Sequence, residues 1–183
     1  MTTTLTRERA DLLESLRRHR DFLRQTVAGV SEEQARNRST VSALTLASLI
    51  KHVADTEQGW IDFALGKPGA MGFDGDSGGG FDADAMRAAM ESGEFVDTRF
   101  VLTDADTLPA LLEHYDRVAE ATDELVVTGD LDATRPLPSA PWFEPGAEWS
   151  LRRVLLHVIA ETSQHAGHAD IIREAIDGAK TMG

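Results

Sequence analysis

The longest helical pattern in the sequence covers residues 150–178, SLRRVLLHVIAETSQHAGHADIIREAIDG. It predicts one long helix, because Ser150 is a favoured N-cap residue and Gly178 stands where a left-handed residue commonly ends a helix. The positions predicted to face the core are apolar at both ends and ionisable in the middle. In order they are Leu151, Val154, Val158, Glu161, His165, His168 and Ile172. A buried, unpaired carboxylate is costly, so a cation bound between these groups would account for the pattern.

Outward from this stretch, helical periodicity predicts three further long helices. They run over about residues 6–28, 45–65 and 106–127. Each carries apolar residues three or four positions apart, which is typical of a helix with one buried face. The sequence therefore predicts an all-α protein, a four-helix bundle that forms a single domain over residues 1–183.

Two long loops interrupt the predicted bundle. Residues 66–80 are glycine-rich and acidic, and a short helix is predicted after them from about Asp82 to Glu91. Residues 129–146 contain four of the six prolines. Long excursions in a compact domain are often functional, so these loops either cover a site or lie on the surface.

The overall composition excludes several classes of function. The chain has 183 residues, 31 acidic against 18 basic side chains, a net charge of −13 and no cysteine. An acidic surface repels phosphate backbones, so no nucleic-acid partner is expected. Without cysteine there are no disulfides, thiolate metal sites or protein thiol nucleophiles. No apolar run is long enough to cross a membrane and no secretory signal is present, so we expect a cytoplasmic protein.

Glu161 and His165 form the nucleus of a predicted metal site. They are four residues apart, so their side chains leave one helix face a turn apart and can bind one ion. The best third ligand on a facing helix is His52. Two histidines and one carboxylate leave a position open for water or substrate, and the same set is found at zinc and non-haem iron sites.

Other roles for these residues stay open on spacing alone. Glu161 can instead pair with an arginine, and His165 can be an ordinary core histidine. His168 is a candidate ligand, hydrogen-bond partner or acid–base group. His19 is predicted to lie in the core or beside the cavity. His157 is expected in polar surroundings and His114 at the surface.

Two segments carry a likeness to a known family. The first is residues 49–60, LIKHVADTEQGW, and the second is residues 149–170, WSLRRVLLHVIAETSQHAGHAD. Together they resemble the DinB/YfiT-like superfamily, within which the chain looks like an actinobacterial-type branch. The superfamily is also similar to the metal-binding domain of mycothiol-dependent maleylpyruvate isomerase.

This resemblance implies a bundle with up-down-down-up connectivity and a divalent metal held by three residues. Carried onto this sequence, the ligands are His52, Glu161 and His165. Many relatives have three histidines, whereas Glu161 matches the maleylpyruvate isomerase type. Zinc or nickel is the expected metal, with iron as a further option, and the resemblance is compatible with a homodimer.

The resemblance further implies an enzyme that uses a low-molecular-weight thiol such as mycothiol as cosubstrate, as an S-transferase or isomerase. From its place in the sequence, His168 is predicted to be a general base or a residue that orients a ligand, and four aromatic residues are candidate pocket walls. These four are Trp60, Tyr115, Trp142 and Phe143. The alternatives are a non-catalytic stress protein that binds a metal or small ligand, and a metal-dependent hydrolase that activates water.

Overall fold

The structure is a computed structural model, and it describes residues 5–70, 91–92, 98–138, 140 and 143–181. Most of the predicted glycine-rich loop, the predicted short helix except Glu91, and Trp142 lie outside the described residues.

Helices dominate the described residues, as predicted. In chain order they are α1 (Arg7–Gln25), α2 (Glu32–Arg36), α3 (Leu46–Leu65), α4 (Leu108–Thr128) and α5 (Leu151–Asp177). A 3-10 turn, Thr98–Phe100, precedes α4. Two short antiparallel strands, β1 (Thr134–Pro136) and β2 (Glu148–Ser150), lie between α4 and α5. The four long helices match the predicted ones, whereas α2 and the strand pair were not predicted.

Local side chains set the helix ends. Thr45 begins α3 and accepts a hydrogen bond from the Ser48 N–H, and Ser150 begins α5 and accepts one from the Arg153 N–H. Gly178 ends α5 with φ +79°, a left-handed conformation that suits glycine. These residues confirm the predicted start of α3 and both predicted ends of α5.

The long helices pack against one another in pairs. α1 contacts α4 and α5, and α3 contacts the same two helices. One apolar cluster includes Leu23, Leu49 and Tyr115, and a second includes Leu16, Trp60 and Val158. Along the residues that the structure describes, no helix combines the length and apolar character that a membrane crossing requires.

A charged pair is buried among these apolar residues. Arg20 of α1 donates from Nε to Oε2 of Glu57 on α3 at 3.3 Å, and the two residues are only 4% and 1% exposed. Thr122 Oγ1 of α4 donates to Glu57 Oε1 at 2.6 Å, and Arg20 Nη1 donates to Asp123 at 2.8 Å. Burial lowers the pKa of Arg20, but Glu57 and Asp123 more than offset it, so the pKa lies above its usual value.

The predicted core face of α5 was partly wrong. Between Val158 and Ile172 the buried residues are Thr162, Ala166 and Ala169, whereas Glu161 and His165 are half-buried and His168 is exposed. The buried set and the ionisable set both continue from Val158 in steps of three or four residues, so spacing alone does not distinguish them. The small residues, not the ionisable ones, fill the interior. The ionisable residues therefore lie at the edge of the core instead of at its centre.

Candidate metal centre

Two neighbouring helices bring the three predicted ligands together. His52 lies on α3, and Glu161 and His165 lie one turn apart on α5. One ligand-capable atom from each of the three residues lies within 4.8 Å of the others. The Nε2 atom of His165 is 3.5 Å from Oε2 of Glu161, and the rings of His52 and His165 meet edge-on with centroids 4.8 Å apart.

The three residues of this cluster are buried to different extents. The His52 residue is 5% exposed, and the side chains of His165 and Glu161 are 12% and 29% exposed. The Nδ1 atom of His165 is buried and has no hydrogen-bond partner among the described residues. Buried polar atoms normally have partners, and the described residues supply none to this nitrogen.

The surroundings of Glu161 favour its ionised form. Contact with His165 is the largest influence and lowers the pKa of Glu161, while partial burial opposes it and the charges of His157, His165 and His52 add to the lowering. An ionised carboxylate beside two imidazoles is the chemistry that a divalent cation binds.

An aromatic wall stands beside Glu161. Trp60 of α3 stacks on Trp149 with ring centroids 4.7 Å apart and an interplanar angle of 13°. The ring of His157 packs edge-on against both, at 4.7 and 5.2 Å, and its Nε2 lies 3.7 Å from Glu161 Oε1. Burial lowers the pKa of His157, and Glu161 partly offsets this.

The prediction of polar surroundings for His157 was only partly right, because its ring faces Glu161 but also packs against two tryptophans. The available signal was its position four residues before Glu161, which repeats the spacing from Glu161 to His165.

Phe100 packs against the two histidines of the cluster. Its ring lies 4.2 Å from that of His52, tilted by 31°, and 6.2 Å from that of His165. Phe100 was not predicted, because its segment is distant in sequence and carries no spacing signal.

The remaining predicted residues are placed as follows. The ring of His168 is 5.6 Å from that of His165, but the residue is exposed and is not one of the three clustered ligands. His19 packs edge-on with Phe22, and His114 pairs with Asp55 at 3.0 Å. Tyr115 is fully buried in the core. Phe143 reaches the aromatic wall, 5.8 Å from Trp149.

His52, Glu161 and His165 fit a divalent ion. Two imidazoles and one carboxylate suit Zn²⁺, Ni²⁺ or Fe²⁺ and leave coordination positions open. The unpartnered Nδ1 of His165 shows that hydrogen bonds among the described residues do not satisfy the cluster by themselves. No second group of three potential ligands occurs among the residues described.

Comparison with known proteins gives one positive result. None of the curated proteins matches the chain. Residues 11–178 match the family described as MST, mycothiol-S-transferase. The matched range covers nearly all of the chain and contains all three clustered residues. That family is DinB/YfiT-like, as the sequence resemblance indicated. The chain belongs to the mycothiol S-transferase family.

Proposed function

We propose that the protein is a metal-dependent transferase that joins the sulfur of a low-molecular-weight thiol, mycothiol or a close analogue, to an electrophilic small molecule. His52, Glu161 and His165 would hold the divalent ion, with zinc or nickel as the first expectation and iron as a further option. The observation that carries this proposal is the convergence of these three side chains within 4.8 Å in a chain of this family.

The chain has no cysteine, so the nucleophilic sulfur comes from a cosubstrate. A divalent ion bound here would lower the pKa of the cosubstrate thiol, so that the thiolate is available near neutral pH. The thiol S–H bond breaks, the sulfur lone pair forms the new bond to the electrophilic carbon, and the leaving group departs with its bonding electrons.

His168 is the proposed acceptor of the thiol proton. Its ring lies beside that of His165, and its exposed side chain can pass the proton on to solvent. The stacked rings of Trp60 and Trp149, which contact His157, and the ring of Phe100, which contacts His52, limit the access of water to the ligands. Less water strengthens the electrostatic interactions among the ligands.

The same proposal includes the finer features of the fold. The pairwise contacts of α1 and α3 with α4 and α5 support a four-helix bundle, for which we propose up-down-down-up connectivity in a single domain. A homodimer is proposed from the family resemblance alone.

The direct test is a conjugation assay with untagged protein. Mycothiol and monochlorobimane are mixed with metal-loaded protein, with chelator-treated protein and with the His165→Ala variant, and the fluorescent adduct is measured. We expect turnover only for the metal-loaded wild type. Glu174→Ala is the matched control, because Glu174 is an exposed carboxylate of the same helix.

Two other outcomes would replace the proposal. Bound metal without conjugation of any thiol in a panel would favour a non-catalytic binding protein. Cleavage of esters or amides in the absence of thiol would favour a metal-dependent hydrolase.

A further inference from the structure

We propose that Phe100 is a positioning residue for His52, and that the segment over residues 98–106, anchored by Lys51, holds its ring in place. We call this segment the strap. The proposal rests on the metal site proposed above and concerns how the chain prepares that site before an ion binds.

The contact between Phe100 and His52 restricts the ligand ring. The two rings lie 4.2 Å apart at a tilt of 31°, and the ring of His165 meets His52 edge-on at 4.8 Å. With His52 only 5% exposed, its ring is enclosed by aromatic neighbours from two directions. An imidazole held in one orientation loses less conformational entropy when it binds a metal ion.

The strap is tied to the helix at the residue next to His52. Lys51 Nζ donates to the backbone carbonyl of Val101 at 2.9 Å, and it pairs with the carboxylate of Asp106 at 3.1 Å. Lys51 and His52 are consecutive in α3, so one residue anchors the strap while the next receives its aromatic ring. The side chains of Lys51 and Asp106 are only 21% and 18% exposed, which limits competition by water.

Further hydrogen bonds make the strap compact. Asp106 Oδ2 accepts from the backbone N–H of Thr103 at 2.6 Å and from its hydroxyl at 2.8 Å. Arg36 of α2 donates to the carbonyls of Thr103 and Asp106 at 3.0 and 2.8 Å. These bonds lie directly after Phe100 in the chain, so the position of its ring is fixed by polar contacts that do not touch the metal ligands.

The experiment measures metal affinity in the full chain. Zinc dissociation constants are determined by competition with a chelating dye for wild type, Phe100→Ala, Phe100→Tyr and Lys51→Met. We expect about 10-fold weaker binding for Phe100→Ala and a smaller loss for Lys51→Met, because residues that orient a ligand typically change metal affinity by that order. Phe100→Tyr keeps the ring and should bind within about twofold of wild type.

Two matched controls separate positioning from a general effect on the fold. Val101→Ala removes the neighbouring side chain, which is 45% exposed. Lys67→Met removes another lysine that pairs with an acid, Asp62, at 2.7 Å. Both should bind zinc like the wild type. The absorption bands of the Co²⁺-substituted protein provide a second measurement, and they should shift for Phe100→Ala but not for either control.

Each result is decisive. If the wild type binds one ion and Phe100→Ala binds it equally tightly with unchanged Co²⁺ bands, the positioning role is wrong and the proposed metal site stands. Equal losses of zinc affinity in Phe100→Ala and Val101→Ala would also overturn the positioning role of Phe100. If Phe100→Ala fails to fold, the other two variants decide. Weaker zinc binding by Lys51→Met with near wild-type binding by Phe100→Tyr supports the positioning role. Wild-type zinc affinity in Lys51→Met overturns it. If the wild type binds no ion, the proposed function fails first and the role of Phe100 fails with it.

Discussion

At the scale of single residues, Glu161 lies between two imidazoles of its own helix. His157 precedes it by four residues and His165 follows it by four, and each faces a different carboxylate oxygen, at 3.7 and 3.5 Å. Residues four apart share one side of a helix, so the three side chains form a row along α5. Trp60 and Trp149 pack against His157, which leaves that end of the row little freedom.

This arrangement predicts a role for His157 in holding the carboxylate. His157→Phe keeps a ring against the tryptophans but removes the nitrogen that faces Glu161. We expect zinc binding about 10-fold weaker, in the range found for residues that support a metal ligand. The midpoint of thermal unfolding of the metal-free protein should change little, and competition with a chelating dye measures the affinity.

His157→Ala is the comparison variant, because it removes both the nitrogen and the packing and should lower the unfolding midpoint as well. Unchanged zinc affinity in His157→Phe would show that the nitrogen has no part in holding Glu161.

Much of the candidate site was predictable at this scale. The spacing of Glu161 and His165 is local, so the sequence displays it directly. His52 was found because it borders the apolar stripe of a helix expected to face α5. The environments of His157 and Phe100 depend on side chains brought in from other parts of the chain. Spacing along one helix cannot show such contacts.

Among the elements, the residue that follows α4 packs closely against the first residue of α5. Gly129 follows α4, and a Cβ atom there would lie 2.7 Å from the Leu125 carbonyl oxygen and 2.7 Å from a methyl group of Leu151. Its φ of −71° is ordinary for any residue, so space rather than backbone conformation requires glycine. Because one obstructing atom belongs to the backbone, a side-chain rotation cannot relieve both contacts.

Gly129→Ala should therefore destabilise the protein by about 1–3 kcal/mol, the usual cost of overpacking. Urea unfolding of the metal-free protein measures this change. Gly167→Ala is the matched control: Gly167 lies in α5, and a Cβ there meets nothing within 4 Å. This control should raise stability by up to about 1 kcal/mol, because alanine favours the helix. Equal stability of Gly129→Ala and wild type would contradict the close approach.

The sequence predicted the long elements but not the short ones. Thr45, Ser150 and Gly178 are local signals, and the structure confirms them as helix ends. The strands β1 and β2 have three residues each, too few for alternation to be recognised. The five-residue α2 is likewise too short for a periodic stripe, although Ser31 and Gln34 form a capping box at its start.

At the scale of the whole molecule, one buried charge pair links three long helices. Arg20 of α1 and Glu57 of α3 meet in the core, and Thr122 and Asp123 of α4 complete the hydrogen bonds. Such a pair contributes little net stability, but loss of one partner leaves a charge buried without compensation. The pairing thereby favours one relative placement of α1, α3 and α4.

Arg20→Met should destabilise the protein by about 3–5 kcal/mol, and the double variant Arg20→Met/Glu57→Met by clearly less than the sum of the single changes. Chemical denaturation of Arg20→Met, Glu57→Met and the double variant gives the coupling free energy between the two residues. Arg18→Met is the control, since Arg18 and Glu14 form a pair that is exposed on both sides. It should cost no more than about 0.5 kcal/mol. Additive losses would show that the buried pair does not act as a unit.

Elemental analysis of untagged protein measures whether His52, Glu161 and His165 hold a divalent ion. The account predicts about one divalent ion per chain in the wild type and in His114→Ala, a histidine paired with Asp55 away from the cluster. A large loss of bound metal is expected in His52→Ala, Glu161→Ala and His165→Ala, since each removes one of the three proposed ligands. Full metal content in all three variants would contradict the account.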